Sequence, residues 1–374
     1  MTRARAFDLA VVGAGIVGLA VALAASRRGW RVLVLDREAR AIGASIRNFG
    51  FITVTGQEAG PTWNRAMRSR HIWSEICASA GISVLQRGLF LLARRAQAAA
   101  VLEEFLATDM GRDLERVSTA QARDRAPELR SETARAIVYS PHELRVEPRE
   151  ALPKLAAFLE ARDGVVFRWG TAVTEVAPGR LRTAEGVVEA PRIAVCPGPD
   201  VRTLFPGVFS GRNVTLCKLQ MLRVGGPAPV SLTAPVMGDL SFTRYLGYAK
   251  LPAAAALRRV LEAECGRELG HGIHLIIVRS ADGTLVVGDS HHYDASPDPF
   301  APAEVETLIV DEMERLIHVD RPRIVERWIG IYPSADVPCF IDAPDPALRI
   351  VSVTSGTGMS TGFAIGEEAI DSWN

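Results

Sequence analysis

The sequence lacks the features by which several classes of protein are recognised. It has five cysteines in 374 residues, and their odd number and the absence of a C-x-x-C spacing argue against a disulfide framework and against a zinc site. Its 43 basic and 43 acidic residues cancel, so no net field draws the chain to nucleic acid or to anionic lipid. A reducing cytoplasm is the location expected for such a chain.

The sequence also has little that resembles a targeting or membrane-spanning segment. Arg3 and Arg5 precede an apolar run over residues 9–25, an arrangement that superficially resembles a signal peptide or an anchor. However, Asp8 opens the run, three glycines interrupt it, and no small-residue cleavage site followed by polar sequence is present. We therefore expect no transmembrane segment, and the run needs another explanation.

A glycine pattern within this run predicts a nucleotide site. Gly13, Gly15 and Gly18 have the spacing G-x-G-x-x-G directly after the short apolar stretch 9–12. Gly13 permits a tight turn, Gly15 lets the backbone approach a pyrophosphate, and Gly18 lets the following helix pack on the strand. In a chain with 32 glycines the bare spacing is a weak signal, so its surroundings decide its meaning.

The surroundings strengthen the prediction. Residues 16–28 have the pattern of a helix, and the next apolar run, residues 32–35, ends on Asp36. An acidic residue at this point accepts hydrogen bonds from the adenosine ribose. The order strand, turn, helix, strand, acid predicts a Rossmann-type dinucleotide-binding unit, but it does not separate FAD from NAD.

A second segment, residues 43–50, narrows the cofactor. Its pattern G-x-S-x-x-x-x-G resembles that of the FAD-dependent amine and amino-acid oxidoreductases typified by glycine oxidase, sarcosine oxidase and D-amino-acid dehydrogenase. The resemblance spans nearly the whole chain and implies FAD. A hydroxyl, a guanidinium and an amide in this segment suit phosphate and sugar oxygens. The cofactor contacts implied here are Gly13, Ala14, Gly15, Ile16, Val17, Gly18, Asp36, Arg37, Ala44, Ser45, Arg47 and Asn48.

Further segments of the family follow in the expected order. Residues 170–173 are similar to the strand whose valine contacts adenine, and residues 193–198 to the strand and turn that close the nucleotide domain. Residues 328–333 resemble a strand beside the flavin, and residues 356–362 resemble the turn that aims a terminal helix at the flavin. The further cofactor contacts implied are Val173, Gly198, Gly330, Gly356, Gly358, Met359, Ser360 and Thr361.

The resemblance also implies the fold. We expect an α/β protein in which a Rossmann-type FAD-binding domain is interleaved with an α+β substrate domain built on a largely antiparallel sheet. The FAD-binding domain then comprises residues 1–81, 146–210 and 326–374, and the substrate domain residues 82–145 and 211–325. Residues 65–80 and 148–162 have helical patterns, whereas residues 215–289 have an extended pattern that includes a hairpin formed by residues 273–279 and 284–288.

Three strings, residues 47–50, 144–149 and 288–293, resemble a subgroup associated with aminophosphonate breakdown. This implies oxidation of the C–N bond of a small amine with an anionic group, such as 2-aminoethylphosphonate or its N-methyl derivative, by hydride transfer to flavin and imine hydrolysis. The electrons then pass to dioxygen, a quinone or another carrier. One alternative is an oxidase or dehydrogenase of glycine, sarcosine or D-amino acids. An alternative of another class is a non-catalytic or tRNA-modifying flavoprotein.

The substrate side departs from the family pattern in two places. Glycine oxidase and many relatives have a carboxylate-binding arginine before the proline of the strand beside the flavin, where this sequence has Tyr332. Sarcosine oxidase has a lysine that assists dioxygen in the segment similar to residues 284–288, which here contains none. The catalytic residues that we predict are His291, Tyr332 and Arg244. The candidate anion binders are Arg47, Arg244, Lys250, Arg279, His291 and His292.

The sequence also supports two negative expectations. The strand at residues 328–333, where sarcosine oxidase carries its flavin-linked cysteine, has no cysteine, so we expect non-covalent FAD. We expect no metal site at His291 and His292, because no further ligand cluster lies nearby. Neighbouring residues on a strand point to opposite faces, so at most one of these two histidines should enter the pocket.

Overall fold

The computed structural model describes residues 7–373, so Arg3 and Arg5 lie outside the described residues. Over that range the strands form one mixed sheet of 15 strands and one antiparallel sheet of three. In chain order the strands are β1 (Leu9–Val12), β2 (Val32–Leu35), β3 (Phe51–Ile52), β4 (Val84–Ala93), β5 (Glu115–Arg116), β6 (Ala136–Val146), β7 (Val165–Arg168), β8 (Val173–Ala177), β9 (Arg180–Thr183), β10 (Gly186–Glu189), β11 (Ile193–Val195), β12 (Thr215–Gly225), β13 (Val236–Met237), β14 (Ile276–Arg279), β15 (Leu285–Gly288), β16 (His292–Asp294), β17 (Arg323–Asp342) and β18 (Leu348–Ser355).

Helices cover both parts of the large sheet. In chain order they are α1 (Ile16–Arg27), α2 (Pro61–Ser79), α3 (Ala96–Leu106), α4 (Thr119–Arg125), α5 (Pro148–Glu160), α6 (Pro206–Ser210), α7 (Asp239–Phe242), α8 (Leu246–Ala249), α9 (Ala254–Glu264), α10 (Gly266–Gly270), α11 (Ala303–Leu316) and α12 (Gly358–Asp371). Among the described residues, none of these helices is both long and apolar enough to cross a membrane.

One part of the large sheet is parallel and contains the glycine turn. Its order is β18-β11-β1-β2-β7, and each neighbouring pair is parallel. The four residues of β2, Val32–Leu35, are all buried, because one face packs in a core with α1 and the other face packs against the small three-stranded sheet. The predicted strands at residues 9–12 and 32–35 and the helix that begins at Ile16 are thus confirmed.

The other part of the sheet is largely antiparallel, with β14, β15, β12 and β17 as successive neighbours. β17 joins the two parts, because it pairs with β12 between Arg323 and Ser334 and with β18 between Ser334 and Asp342. One uninterrupted sheet therefore carries both the nucleotide-type unit and the antiparallel layer. The predicted fold class, a Rossmann-type unit combined with an antiparallel α+β layer, is confirmed.

Most local predictions match the observed elements. The helices predicted at residues 65–80 and 148–162 correspond to α2 and α5, and the predicted hairpin corresponds to β14 and β15. The extended pattern predicted for residues 215–289 is wrong in the middle, where α7 to α10 lie between Asp239 and Gly270. In α9 the buried residues Leu257 and Leu261 recur after four positions, which is a helical spacing.

Candidate active site

A cavity of about 410 Å³ lies where the glycine turn, the loop after residue 43, β17 and the start of α12 meet. It brings together most of the residues that the sequence predicts for cofactor and substrate. Those lining the cavity are Gly15, Ile16, Val17, Gly18, Ala44, Ser45, Arg47, Asn48, Gly198, Gly330, Gly356, Gly358, Met359, Ser360, Arg244, His291 and Tyr332. Those not lining it are Gly13, Ala14, Asp36, Arg37, Val173 and Thr361.

The glycine turn has almost no space for side chains. Gly13 has φ +101°, and a Cβ atom there would lie 2.3 Å from the carbonyl oxygen of Cys196. A Cβ atom on Gly18 would lie 1.8 Å from the carbonyl oxygen of Gly13. Gly13 and Gly18 therefore shape the turn, and of the two only Gly18 lines the cavity, together with Gly15, Ile16 and Val17.

Asp36 lies one residue beyond β2 and beside the turn. Its Oδ2 accepts a hydrogen bond from the backbone N–H of Ala14 at 2.7 Å, and its Oδ1 accepts from that of Glu38 at 2.9 Å. The carboxylate is thereby fixed, and each oxygen retains acceptor capacity for a ribose hydroxyl. The neighbouring Arg37 pairs instead with Asp200, with Nη1 and Oδ2 2.6 Å apart.

The loop after residue 43 is tied to the first turn of α1 and to β17. The Ser45 hydroxyl accepts from the N–H of Ile16 at 2.9 Å, and the amide of Asn48 donates to the carbonyl of Ala44 at 2.8 Å. The indole of Trp328 donates to the carbonyl of Arg47 at 3.2 Å. A Cβ atom on Gly330 would lie 2.9 Å from that same carbonyl oxygen, so the glycine lets the loop approach β17.

The start of α12 is held against the cavity by two neighbouring elements. The indole of Trp73 on α2 donates to the carbonyl of Met359 at 2.8 Å, and the Ser360 hydroxyl accepts from the N–H of Thr53 at 2.8 Å. The first turns of both α1 and α12 thus face the same cavity. Helix N-termini carry partial positive charge, so this wall suits anionic groups such as a pyrophosphate.

The chemistry of this wall fits FAD. Two helix N-termini and a glycine at the point of closest backbone approach meet at the cavity, and Asp36, at the end of the second parallel strand, lies beside the glycine turn through its bond to Ala14. The residues that would hold the dinucleotide are those of the glycine turn, the Ser45 loop and the first turn of α12. The wall also contains Cys196, and burial raises the pKa of this thiol to about 12, so the thiol stays protonated at neutral pH.

Another part of the cavity wall carries one guanidinium and several phenols. Nη2 of Arg244 donates to the hydroxyl of Tyr293 at 2.7 Å, and both side chains are exposed. Tyr245 and Tyr332 also line the cavity. Burial raises the pKa values of both phenols above the ordinary value, so the hydroxyls stay protonated and act as hydrogen-bond donors.

His291 stands in a buried cluster with two residues that the sequence analysis did not select, His274 and Asp289. Nε2 of His274 lies 3.1 Å from Oδ1 of Asp289, and Nε2 of His291 lies 3.8 Å from Oδ2. The premise that no further ligand cluster lies near His291 is therefore wrong, because one ligand atom from each of the three residues lies within 4.8 Å of the others. The neighbouring His292 does not line the cavity, and its ring contacts His271, with ring nitrogens 3.1 Å apart.

The ionisation of the cluster follows from its burial. Burial lowers the pKa of His291 to about 3, so the imidazole is neutral at neutral pH. Burial alone would raise the pKa of Asp289, but the neighbouring imidazoles and Arg244 hold it below its ordinary value. The cluster therefore presents a carboxylate anion beside neutral imidazole.

Several candidate anion binders are engaged elsewhere. Lys250 forms an ion pair with Glu58, and the guanidinium of Arg279 donates to the carbonyls of Leu232 and Leu85. Arg47 lines the cavity, although its Nε donates to the carbonyl of Ile42 at 2.8 Å. Arg244 and Arg47 are thus the arginines of the described cavity wall.

Asp289 and His274, which the sequence analysis did not select, have little in the sequence that marks them as site residues. Asp289 directly follows β15, and an acid at the end of a strand that enters a pocket is a candidate by position. His274 has no such mark, because it precedes β14 as an isolated histidine in an apolar stretch. It reaches the cluster because β14 pairs with β15, which brings the flanking residues together.

The fold and the cavity define a dinucleotide-dependent oxidoreductase. Residues 8–372 match the model of the DAO family, described as FAD dependent oxidoreductase, so the chain belongs to this family and is an FAD-dependent enzyme. No curated protein matches the chain in sequence.

Solved structures show the same fold at low sequence identity. Glycine oxidase from Geobacillus kaustophilus has a TM-score of 0.74 and 19% identity, and the match covers 98% of this chain and 94% of that one. L-proline dehydrogenase from P. horikoshii has a TM-score of 0.78 and 16% identity, with 97% and 92% covered. L-alpha-glycerophosphate oxidase from Mycoplasma pneumoniae, solved with FAD bound, has a TM-score of 0.72 and 16% identity, with 98% and 94% covered.

Proposed function

We propose that the enzyme oxidises the C–N bond of a small amine that carries an anionic group. The observation that carries this proposal is the meeting of Arg244, three phenols and the anionic Asp289 in the cavity that fits FAD. Glycine oxidase and L-proline dehydrogenase, whose fold this chain shares, are named for amino-acid substrates, which carry both an amine and an anion. Glycerophosphate oxidase, also similar, acts on a phosphate ester without an amine, so the fold alone leaves the substrate open.

The chain's own residues supply binding and orientation. FAD, when bound, supplies the hydride acceptor. Arg244 pairs with the substrate's anionic group, and the phenols of Tyr245, Tyr293 and Tyr332 donate further hydrogen bonds. Together they hold the carbon that bears nitrogen in one orientation, which lowers the entropic cost of the reaction.

We further propose an aminophosphonate, such as 2-aminoethylphosphonate or its N-methyl derivative, as the substrate. Tyr332 occupies the position where glycine oxidase and many relatives have the carboxylate-binding arginine. The substrate's anion is therefore bound here by several separate hydrogen-bond donors and not by one bidentate guanidinium. A phosphonate has three acceptor oxygens, whereas a carboxylate has two, so it makes fuller use of one arginine and several phenols. The strings at residues 47–50, 144–149 and 288–293 support the same subgroup.

Anaerobic flavin reduction tests this proposal directly. We expect 2-aminoethylphosphonate or its N-methyl derivative to bleach the flavin absorbance faster than glycine or sarcosine. Replacement of Arg244 by alanine should weaken substrate binding roughly tenfold to a hundredfold while FAD stays bound, because one charge-assisted contact is lost. If glycine, sarcosine or a D-amino acid reduces the flavin far faster than either phosphonate, the second candidate, an amino-acid oxidase or dehydrogenase, replaces the first.

The electron acceptor and the way in which FAD is attached can each be tested by a separate experiment. Mixing the reduced enzyme with dioxygen or with a quinone, and following flavin reoxidation, assigns the acceptor. We propose that FAD is held non-covalently, because no cysteine is present at residues 328–333 and Cys339, further along β17, does not line the cavity. Acid precipitation should therefore release all flavin into the supernatant, and flavin retained in the pellet would show a covalent bond.

A further inference from the structure

The cluster of His274, Asp289 and His291 has a charge and a hydrogen-bonding pattern that the anion-binding function leaves unexplained. The three residues are 5%, 4% and 8% exposed. Because Asp289 is an anion beside a neutral His291, the cluster repels a phosphonate or a carboxylate. It is therefore suited to a ligand group of the opposite sign.

The acceptors of this cluster have hydrogen-bonding capacity to spare. Nδ1 of His291 donates to the carbonyl of Gly272 at 2.9 Å, so Nε2 of the neutral ring is an acceptor that faces the carboxylate. Nε2 of His274, 3.1 Å from Oδ1 of Asp289, is the neighbouring donor, and each carboxylate oxygen can accept more than one hydrogen bond. The arrangement therefore favours a ligand that brings further N–H groups.

We propose that His274, Asp289 and His291 bind the substrate's nitrogen in its ammonium form, an inference that rests on the proposed amine oxidation. The bound ammonium passes one proton to Nε2 of His291 or to the Asp289 carboxylate before the carbon releases hydride, because hydride release needs the lone pair on nitrogen. An ammonium group brings one positive charge and up to three N–H donors to one carboxylate and two imidazoles. The ligand atoms of the three residues all lie within 4.8 Å of one another, so one nitrogen placed among them can lie within hydrogen-bond distance of all three.

The positive charge of Arg244 complements the negative charge of Asp289 in the same cavity. The Arg244 guanidinium is near enough to lower the pKa of Asp289, and it repels a doubly charged metal ion at the cluster about twice as strongly as a singly charged ammonium. A substrate with one ammonium and one anionic group pairs each of its charges with one of these two side chains. The cavity is thereby selective for amines that carry an anion, and simple alkylamines should bind less tightly.

A ligand that cannot be oxidised separates this inference from the proposed reaction. The carbon that bears nitrogen in tert-butylammonium has no hydrogen, so the compound leaves the flavin oxidised. We expect it to bind the FAD-loaded enzyme at least tenfold more tightly than tert-butanol, its uncharged analogue of similar shape, as followed by calorimetry and by the flavin difference spectrum. Equal affinity for the two compounds would overturn the proposal.

Variants assign the binding to the cluster. Asp289→Asn keeps the shape and removes the charge, and we expect it and His291→Gln to weaken tert-butylammonium binding roughly tenfold to a hundredfold without weakening tert-butanol binding. His292→Gln, which alters the neighbouring histidine outside the cavity, should leave the affinity unchanged. If the purified enzyme holds one equivalent of a metal ion that Asp289→Asn loses, the cluster is a metal site and the proposal is wrong. Failure of every amine to reduce the flavin, with ammonium binding intact, would contradict the proposed function alone.

Discussion

Gly15 lies between the Ser45 hydroxyl and the cavity, so an added side chain has a tight neighbour on one side and the ligand space on the other. A Cβ atom would lie 3.1 Å from the Ser45 hydroxyl, which holds the first turn of α1 by its bond to Ile16. The same residue lines the cavity at the point where the backbone would approach a pyrophosphate. A larger side chain here therefore disturbs both the loop and the ligand.

We predict that Gly15→Val abolishes FAD retention, because its two methyl groups extend into the cavity and displace Ser45. The ratio of flavin to protein absorbance in purified protein measures this. Gly207→Val is a matched control, since a Cβ atom at Gly207 meets no atom within 4 Å and the residue lies outside the cavity wall. A Gly15→Val variant with normal flavin content would refute the assignment of the glycine turn.

The positions of some site residues could be predicted from the sequence, and those of others could not. The roles of Gly13 and Gly18 were predictable because the constraint is local: one turn, one strand and one helix fix the contacts within a few residues. Asp289 and His274 were not, since their proximity depends on the pairing of β14 with β15 and on burial. When a titratable residue lies in an apolar stretch, the residues next to it in sequence do not indicate which distant residues it will contact.

At the scale of elements, α12 packs on α1 through an edge of glycines. Gly358, Gly362 and Gly366 recur at every fourth residue, and Cβ atoms on the first two would lie 3.3 and 3.5 Å from Ile16. A Cβ atom on Gly366 would lie 2.6 Å from the backbone carbonyl carbon of Ala20. The two helices thus approach backbone to backbone near Gly366, and this contact sets where the start of α12 lies relative to the cavity.

We predict that Gly366→Ala destabilises the protein by about 1 to 3 kcal/mol, because the added methyl group overpacks the contact and separates the helices. Urea unfolding measures the change in the free energy of unfolding. Gly266→Ala, at the start of α10 where a Cβ atom meets nothing within 4 Å, should change it by less than about 0.5 kcal/mol. Equal stability of the two variants would show that α1 and α12 can separate without cost.

Long elements were easier to predict than short ones. α1 has 12 residues and α2 has 19, and a glycine, Gly29 or Gly81, lies just beyond the end of each. α7 and α8 have four residues each, which is too short for any periodicity. Their position depends on tertiary contacts: the N–H of Gly247 in α8 donates to the carbonyl of Gly56 at 2.9 Å, far away in sequence.

At the scale of the whole molecule, β17 belongs to both halves of the sheet. We propose that the FAD-binding half comprises residues 1–81, 146–210 and 326–374 and the substrate half residues 82–145 and 211–325. The last boundary falls inside β17, whose first part pairs with β12 and whose second part pairs with β18. The interleaved order of segments follows from the family resemblance, because local sequence patterns specify strands but not the order in which distant strands pair.

We predict that the two halves unfold in one transition, because separating them breaks the ladders on both sides of β17 and opens the shared cavity. Far-UV circular dichroism and flavin fluorescence, followed through the same urea series, should give coincident midpoints. Two separate midpoints for the secondary structure would contradict this and would show that each half has a stability of its own.

The cavity wall draws on residues close to both ends of the described chain, with Gly15 to Gly18 on one side and Gly356 to Ser360 on the other. During synthesis the glycine turn leaves the ribosome before α12, so the pocket is complete only once α12 has emerged and docked on α1. A nascent chain stalled before residue 356 should therefore fail to retain FAD, although its glycine turn has already been made.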